Sequence, residues 1–336
     1  MTERIFVAQP IPEPALEVLR AVGDVAVYPH MDRQIAPEEL LAGLKSADWL
    51  FAMHETKVNG HSLRESRLKG IGVLAKDDPD IDMDAANELR IPVVAEDPAI
   101  FAQVSPATAD LTVAMLLGLG YRLLDADRYT RSGRFRQEQT MALMGMGVDG
   151  KTVGLIGMGK VAEHMVPRLL PFGMNILYTK RTRLDRGREK ELGVHWVEQL
   201  DELLARSDYV CLACDYNKST HKLIGRRELG LMKPTSFLIN TARGRIVDQP
   251  ELIDALRERR IAGAGLDVFW DEPPHVDEPF VPEELRKLDN VILAPHNGGA
   301  TWQVRTNRTV SVAQSMIAVM KGERPPTLLN PGIYAR

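Results

Sequence analysis

The sequence predicts an α/β protein of two doubly wound parallel-sheet domains, the second inserted into the first. Three observations carry this. The length of 336 residues suits two domains at roughly 150 residues each. Strand-like apolar runs alternate with helix-like runs along most of the chain. A long amphipathic stretch at 301–321 follows the second alternating series and is placed to return to the first domain. The expected division is residues 1–103 and 300–336 in one domain and residues 104–299 in the other.

Element by element, the first series reads as a strand at 5–8, a helix at 14–22, strands at 25–28 and 49–53 around a helix at 37–44, a strand at 70–74, a helix at 83–89 and a strand at 93–95. Ser105 followed by Pro106 has the form of a helix start, a hydroxyl cap with proline in the first turn, and it opens an apolar run over 107–121. A charged, glycine-punctuated stretch over 128–150 leads to the second series. Strands are expected at 152–156, 175–179, 209–213, 236–240, 262–267 and 291–293.

Charge and composition narrow the function classes. Forty-two basic residues against 46 acidic ones give a formal charge of -4, which lacks the basic footprint of a nucleic-acid binder. No run approaches about 18 consecutive apolar residues, and the strand-like N-terminus has no secretion h-region. The expectation is a cytoplasmic protein without membrane or nucleic-acid partners. Cys211 and Cys214, the two cysteines, lie in an apolar strand where residues three apart face opposite sides, so they read as core thiols. Seven of the eight histidines, His30, His54, His61, His164, His195, His221 and His275, have no metal-ligand spacing, and no metal is expected.

The strand at 152–156 runs into Gly157-Met158-Gly159-Lys160-Val161-Ala162, a G-x-G-x-x-A turn opening a helix. Gly157 permits the tight turn, Gly159 lets the backbone approach a pyrophosphate, and Ala162 lets the helix lie close to the strand. Pro167 is expected to kink that helix. An NAD site commonly places an acid after the next strand, for the ribose hydroxyls. Here the segment is Lys180-Arg181-Thr182-Arg183. A guanidinium can hold a ribose 2′-phosphate bidentately, so Arg181, assisted by Lys180 or Arg183, predicts NADP(H) in preference to NAD(H).

Three further segments follow later strands, where open α/β sheets bind their ligands: Asn240-Thr241-Ala242-Arg243-Gly244-Arg245, Gly265-Leu266-Asp267-Val268-Phe269 with Glu272-Pro273, and Ala294-Pro295-His296-Asn297-Gly298-Gly299. In this order, and with the dinucleotide turn, they resemble the D-isomer-specific 2-hydroxyacid dehydrogenase family over nearly the whole chain. The basic stretch at 180–183 and Pro325-Pro326-Thr327-Leu328-Leu329-Asn330 are similar to its glyoxylate/hydroxypyruvate reductases.

The resemblance implies a Rossmann cofactor domain inserted into a flavodoxin-like substrate domain, usually as a homodimer formed through 121–148, where Met141, Leu143, Met144 and Met146 would otherwise be exposed. It implies reduction of a small 2-keto acid. Protonated His296 delivers a proton to the forming alkoxide, Glu272 beside it raises its pKa and fixes the ring, and Arg243 holds the substrate carboxylate and polarises the carbonyl. Thr108, Cys214, Asp215, Thr241, Ala242, Asp267 and Gly298 are the further positions it places around the cofactor.

Departures from the family pattern fall at the substrate loop. A family segment S-x-G-x-D-x-I-D is Ala75-Lys76-Asp77-Asp78-Pro79-Asp80-Ile81-Asp82 here. Asp77 brings a carboxylate beside the substrate's own, and Pro79 removes an amide donor. Lys76 and Met53 match phosphite dehydrogenases, a branch of the family, and a lysine suits a compact dianion. Asp215-Tyr216 replaces a segment where the family shows proline. The competing expectations are oxidation of an unusual small anion such as phosphite, or a dinucleotide-sensing binding protein without catalysis.

Overall fold

The computed structural model describes residues 2–75, 79–138, 141–270 and 281–334. The chain divides into two compact units, Met1–Gln103 with Ala300–Arg336, and Val104–Gly299.

In the first unit, strands β1 (Glu3–Val7), β2 (Gly23–Val27), β3 (Trp49–Met53), β4 (Gly70–Leu74) and β5 (Val93–Val94) form a parallel sheet in the order β2-β1-β3-β4-β5. β3 and β4 are buried along their whole length, as expected of strands covered on both faces. Leu40, Leu44, Leu63 and Ala85 pack on one face, and Leu16, Leu19, Val312 and Met316 on the other. The last two come from helix Trp302–Met320, which lies against β4 and helix Glu13–Arg20. Thr301 caps that helix by accepting the Val304 amide at 3.2 Å. The segment after it runs back along β5, where Asn330 Oδ1 accepts the Val93 amide at 2.8 Å.

The second unit holds β6 (Thr152–Ile156), β7 (Asn175–Thr179), β8 (His195–Trp196), β9 (Tyr209–Leu212), β10 (Phe237–Asn240), β11 (Gly263–Leu266) and β12 (Val291–Leu293). They form one parallel sheet in the order β12-β11-β10-β9-β6-β7-β8. The chain therefore leaves β6 in one direction to β7 and β8, then returns to its other side with β9. That reversal puts the topological switch point, where such sheets bind their ligands, at the carboxyl ends of β6 and β9.

Several boundaries differ from expectation, each for a physical reason. β8 has two residues at the sheet edge, too few for a periodic signal. Helices Gly60–Arg64 and Pro98–Phe101 are likewise too short to read. Ser105 is not a cap: the helix spans Val104–Gly120, and the cap-proline pair belongs to Asp97 and Pro98, where the Asp97 carboxylate accepts the Ala99 amide at 2.7 Å. Pro167 falls in the last turn of helix Lys160–Leu169, which passes into a 3-10 turn at Leu170–Phe172.

Among the described residues one helical stretch, Pro98–Gly120, is long and apolar enough to cross a membrane by length and composition. Its Ala109, Val113, Met115 and Leu116 are core residues of the second unit. The two cysteines do lie on opposite faces: Cys211 packs in one core cluster and Cys214 against the other. Burial pushes their thiols up, to about 12 and about 11.

Candidate active site

The carboxyl edge of the second unit's sheet carries the chemistry-bearing segments, one after each strand. Gly157, directly after β6, has φ +101, and a Cβ there would meet the Ala213 carbonyl oxygen at 2.4 Å. Only glycine fits that left-handed, crowded position. Gly159 is different. Its φ of -103 and ψ of -167 are open to any residue, and a Cβ would meet no protein atom within 4 Å. Neither packing nor conformation within the chain calls for glycine there, whereas close approach of a bound group to the backbone does. Lys160 opens the helix, whose first amides are available to an anion, and Ala162 is fully buried beneath it. Met158 is buried and Val161 half-buried.

After β7, the Thr179 carbonyl accepts the Gly157 amide at 2.8 Å, which sets residues 180–183 beside the glycine turn. Lys180 Nζ donates to the Met158 carbonyl at 3.3 Å. Arg183 is exposed as well, but two of its guanidinium nitrogens are taken up: its Nε and Nη2 each donate to the buried Glu189 at 2.7 Å. Its guanidinium also lies 4.8 Å from the centre of the Trp196 ring. Arg181 and Thr182 are exposed, and among the described residues the Arg181 side chain makes no hydrogen bond or ion pair. Of the basic residues expected to read a 2′-phosphate, Arg183 is thus already committed and Arg181 is open.

Beyond β10, buried Asn240 shapes the turn that presents Arg243. Its Oδ1 accepts the Ala242 amide and its Nδ2 donates to the Arg243 carbonyl, both at 3.0 Å. Thr241 is buried, with its hydroxyl 2.7 Å from that of Thr112. Arg243 is exposed, and its Nη1 donates to the Ala242 carbonyl at 2.7 Å. A Cβ at Gly244 would lie 1.9 Å from the Phe269 carbonyl oxygen. The Arg243 turn therefore sits directly on the chain leaving β11, a contact only glycine allows.

That chain begins with Asp267, 1% exposed. Its carboxylate accepts the Asn297 amide at 2.6 Å and the Gly298 amide at 2.8 Å, and its carbonyl accepts the His296 amide at 2.9 Å. His296 is exposed and has φ +54, an unusual conformation for a non-glycine residue. Gly298 packs tightly on Thr108, whose hydroxyl would be 2.9 Å from a Cβ there. Arg243, Asp267 and His296 thus follow three adjacent strands, β10, β11 and β12. Glu272 lies outside the described residues.

Cys214 is half-buried after β9, and Asp215 and Tyr216 are exposed. The Asp215 carbonyl accepts the Thr220 hydroxyl at 2.8 Å, and the Tyr216 hydroxyl is 3.1 Å from His221 Nδ1. In the first unit, Met53 ends β3 in register with Leu74 of β4, and Ala75 follows at once; both are buried. Lys76 and Asp77 lie outside the described residues. Asp82 accepts the Ala85 amide at 2.9 Å as a helix cap.

Residues 113–298 match the family model for the D-isomer specific 2-hydroxyacid dehydrogenase NAD binding domain. The chain belongs to this family. It is 40% identical to a glyoxylate reductase of Thermococcus gammatolerans, covering 98% of this chain and 96% of that one. A glyoxylate reductase of Aeropyrum pernix is 35% identical over 97% and 96%. Among solved structures it is similar to the TT0316 protein of Thermus thermophilus, with TM-score 0.80 and 32% identity over 97% and 99% of the two chains. It is also similar to a glyoxylate reductase of Paecilomyes thermophila, with TM-score 0.68 and 28% identity over 98% and 99%. The protein is an NAD(P)-dependent oxidoreductase of 2-hydroxy acids with a nicotinamide dinucleotide as cofactor, as the leading reading of the sequence expected.

Sequence reasoning named Asn240 in its segment without giving it a role, and missed Thr112 and Glu189. Asn240 was visible as the polar end of an apolar strand. Glu189 had no signal, because Arg-Gly-Arg-Glu-Lys-Glu reads as a solvated charge run.

Proposed function

We propose that this dehydrogenase uses NADPH to reduce a small 2-keto acid, glyoxylate or hydroxypyruvate. The observation that carries the chemistry is His296, held at φ +54 by Asp267, which follows the strand next to the one that presents Arg243. The bound reduced nicotinamide supplies the hydride. Arg243 binds the substrate carboxylate and draws charge toward the carbonyl oxygen. His296 donates a proton to that oxygen as the alkoxide forms, with Glu272 as its acidic partner. Asp267 keeps the His296 turn in place through its three backbone contacts.

The residues after β6 hold the pyrophosphate by backbone amides, and Arg181 takes the 2′-phosphate. Preference for NADPH is supported by the absence of an acid at 180–183 and by the exposed Arg181 guanidinium. Thr241, Ala242, Cys214, Asp215 and Gly298 follow strands at the same sheet edge, Thr108 packs on Gly298 from helix Val104–Gly120, and all six belong to the cofactor's surroundings. The substrate assignment is supported by relatives named glyoxylate reductase.

The protein acts as a homodimer in the cytoplasm. Exposed Tyr121, Leu123, Leu124, Phe135, Met141 and Met144 supply the apolar surface for pairing. Leu143 and Met146 do so less than expected, since both are half-buried and Met146 packs against its own unit's core. The deciding assay follows the nicotinamide absorbance with NADPH or NADH and glyoxylate, hydroxypyruvate or pyruvate. Turnover on glyoxylate or hydroxypyruvate with a lower KM for NADPH supports the reading, and turnover with phosphite and NADP alone contradicts it.

A further inference from the structure

The turn that carries Arg181 is fastened at both ends, and the fastening at its far end is a single buried carboxylate. Tyr178, in β7, is fully buried, and its hydroxyl donates to Glu189 at 2.6 Å while accepting the Leu184 amide at 3.0 Å. Glu189 comes from helix Arg186–Leu192, which Asp185 caps by accepting the Arg188 amide at 2.9 Å. The same Glu189 takes Arg183 in a two-point ion pair at 2.7 Å, with Arg183 layered on Trp196 of β8. The near end is held by Lys180 on the Met158 carbonyl. Between the two anchors, Arg181 and Thr182 face solvent.

A carboxylate close to a 2′-phosphate site would ordinarily repel the ligand. Glu189 escapes that objection because Arg183 neutralises it and its oxygens are taken up inside the unit. The pairing has two consequences. It occupies the Nε and Nη2 of Arg183, which stays exposed, and leaves Arg181 as the guanidinium with no ion pair among the described residues. It also fixes residues 183 and 184 before the cofactor arrives, so binding does not have to order them.

We propose that Glu189 is a positioning residue for cofactor discrimination: through Arg183 and Tyr178 it holds the 180–184 turn so that Arg181 is offered to the 2′-phosphate. This rests on the NADPH reading above and deepens it.

The test measures Kd for NADPH, NADH and 2′,5′-ADP by calorimetry, with steady-state kcat for both cofactors, in the wild-type protein and in Glu189→Gln. The proposal expects Kd for NADPH and 2′,5′-ADP to rise about tenfold, while Kd for NADH and kcat stay within about twofold. Glu189→Asp restores part of the loss. Tyr178→Phe keeps the ion pair but removes the partner of the Leu184 amide, and it shifts the same ratio in the same direction by a smaller factor. It serves also where Glu189→Gln does not fold. Equal rises for NADPH and NADH would mark a merely structural role and overturn the proposal, as would an unchanged or increased NADPH preference. Equal wild-type Kd values for the two cofactors would overturn the NADPH reading and this proposal with it. A wild-type preference that survives both variants would overturn this proposal alone.

Discussion

Asp267 holds His296 through the backbone: its carbonyl accepts the His296 amide at 2.9 Å, and its carboxylate accepts the next two amides, of Asn297 and Gly298. The carboxylate is buried, and each of its oxygens takes an amide from the turn. Holding a histidine at φ +54 costs about 1–3 kcal/mol, which these bonds to a carboxylate can offset. Asp267 thus fixes the placement of His296, the residue proposed to give the proton.

Replacing Asp267 by alanine should lower kcat about 10–100-fold and destabilise the fold by about 1–3 kcal/mol, because two amides lose their acceptor. Asp267→Asn keeps one acceptor oxygen and should fall between wild type and alanine in both melting temperature and kcat. Activity at the wild-type level in Asp267→Ala would separate the turn from the chemistry.

His296→Ala should reduce kcat on the true substrate by about 10²–10⁴-fold with a much smaller change in NADPH affinity, since a proton donor is lost while the glycine turn after β6 and the amides held by Asp267 are kept. Steady-state kinetics beside a fluorescence titration of NADPH measure both quantities.

The two glycines after β6 should respond in opposite ways. Gly159→Val meets open space in the protein, so its melting temperature should stay close to wild type while cofactor affinity drops about tenfold or more. Gly157→Ala forces a Cβ against the Ala213 carbonyl at a left-handed φ, and it should lose stability itself. A Gly159→Val protein that binds NADPH normally would remove the pyrophosphate from this turn.

Acid should expose the contribution of Glu189. The Arg183 guanidinium, with the Tyr178 hydroxyl, holds its carboxyl down at about 2 against an ordinary 4.5. A depressed carboxyl stabilises the folded state fully above the unfolded value, and that stability is lost as pH falls through the folded one. The melting-temperature gap between wild type and Glu189→Gln should therefore be constant from pH 7 to about 5 and shrink toward pH 2. A gap that persists unchanged at pH 2 would show that shape rather than charge makes the difference.

Most of the architecture was legible because it follows from period and punctuation. β3, β4, β6, β7 and β12 begin and end where their apolar runs do, and Gly157, Arg243, Asp267 and His296 announce themselves by residue type directly after those strands. What stayed hidden depends on direction. Nothing in the local sequence tells which of Arg181 and Arg183 is ion-paired, since that choice is made by Glu189 on the following helix. The same holds for Ser105, a plausible cap by its own chemistry, which the helix overran because the chain is already helical at Val104.

The central claim is that the guanidinium of Arg181 selects NADPH for 2-keto acid reduction. Its most direct test is kcat/KM for NADPH and NADH with glyoxylate, in the wild-type protein and in Arg181→Ala. The account predicts a wild-type preference for NADPH that collapses by about tenfold or more in the variant, with the NADH value unchanged. Equal wild-type values for the two cofactors, or a preference untouched by removing Arg181, would contradict it.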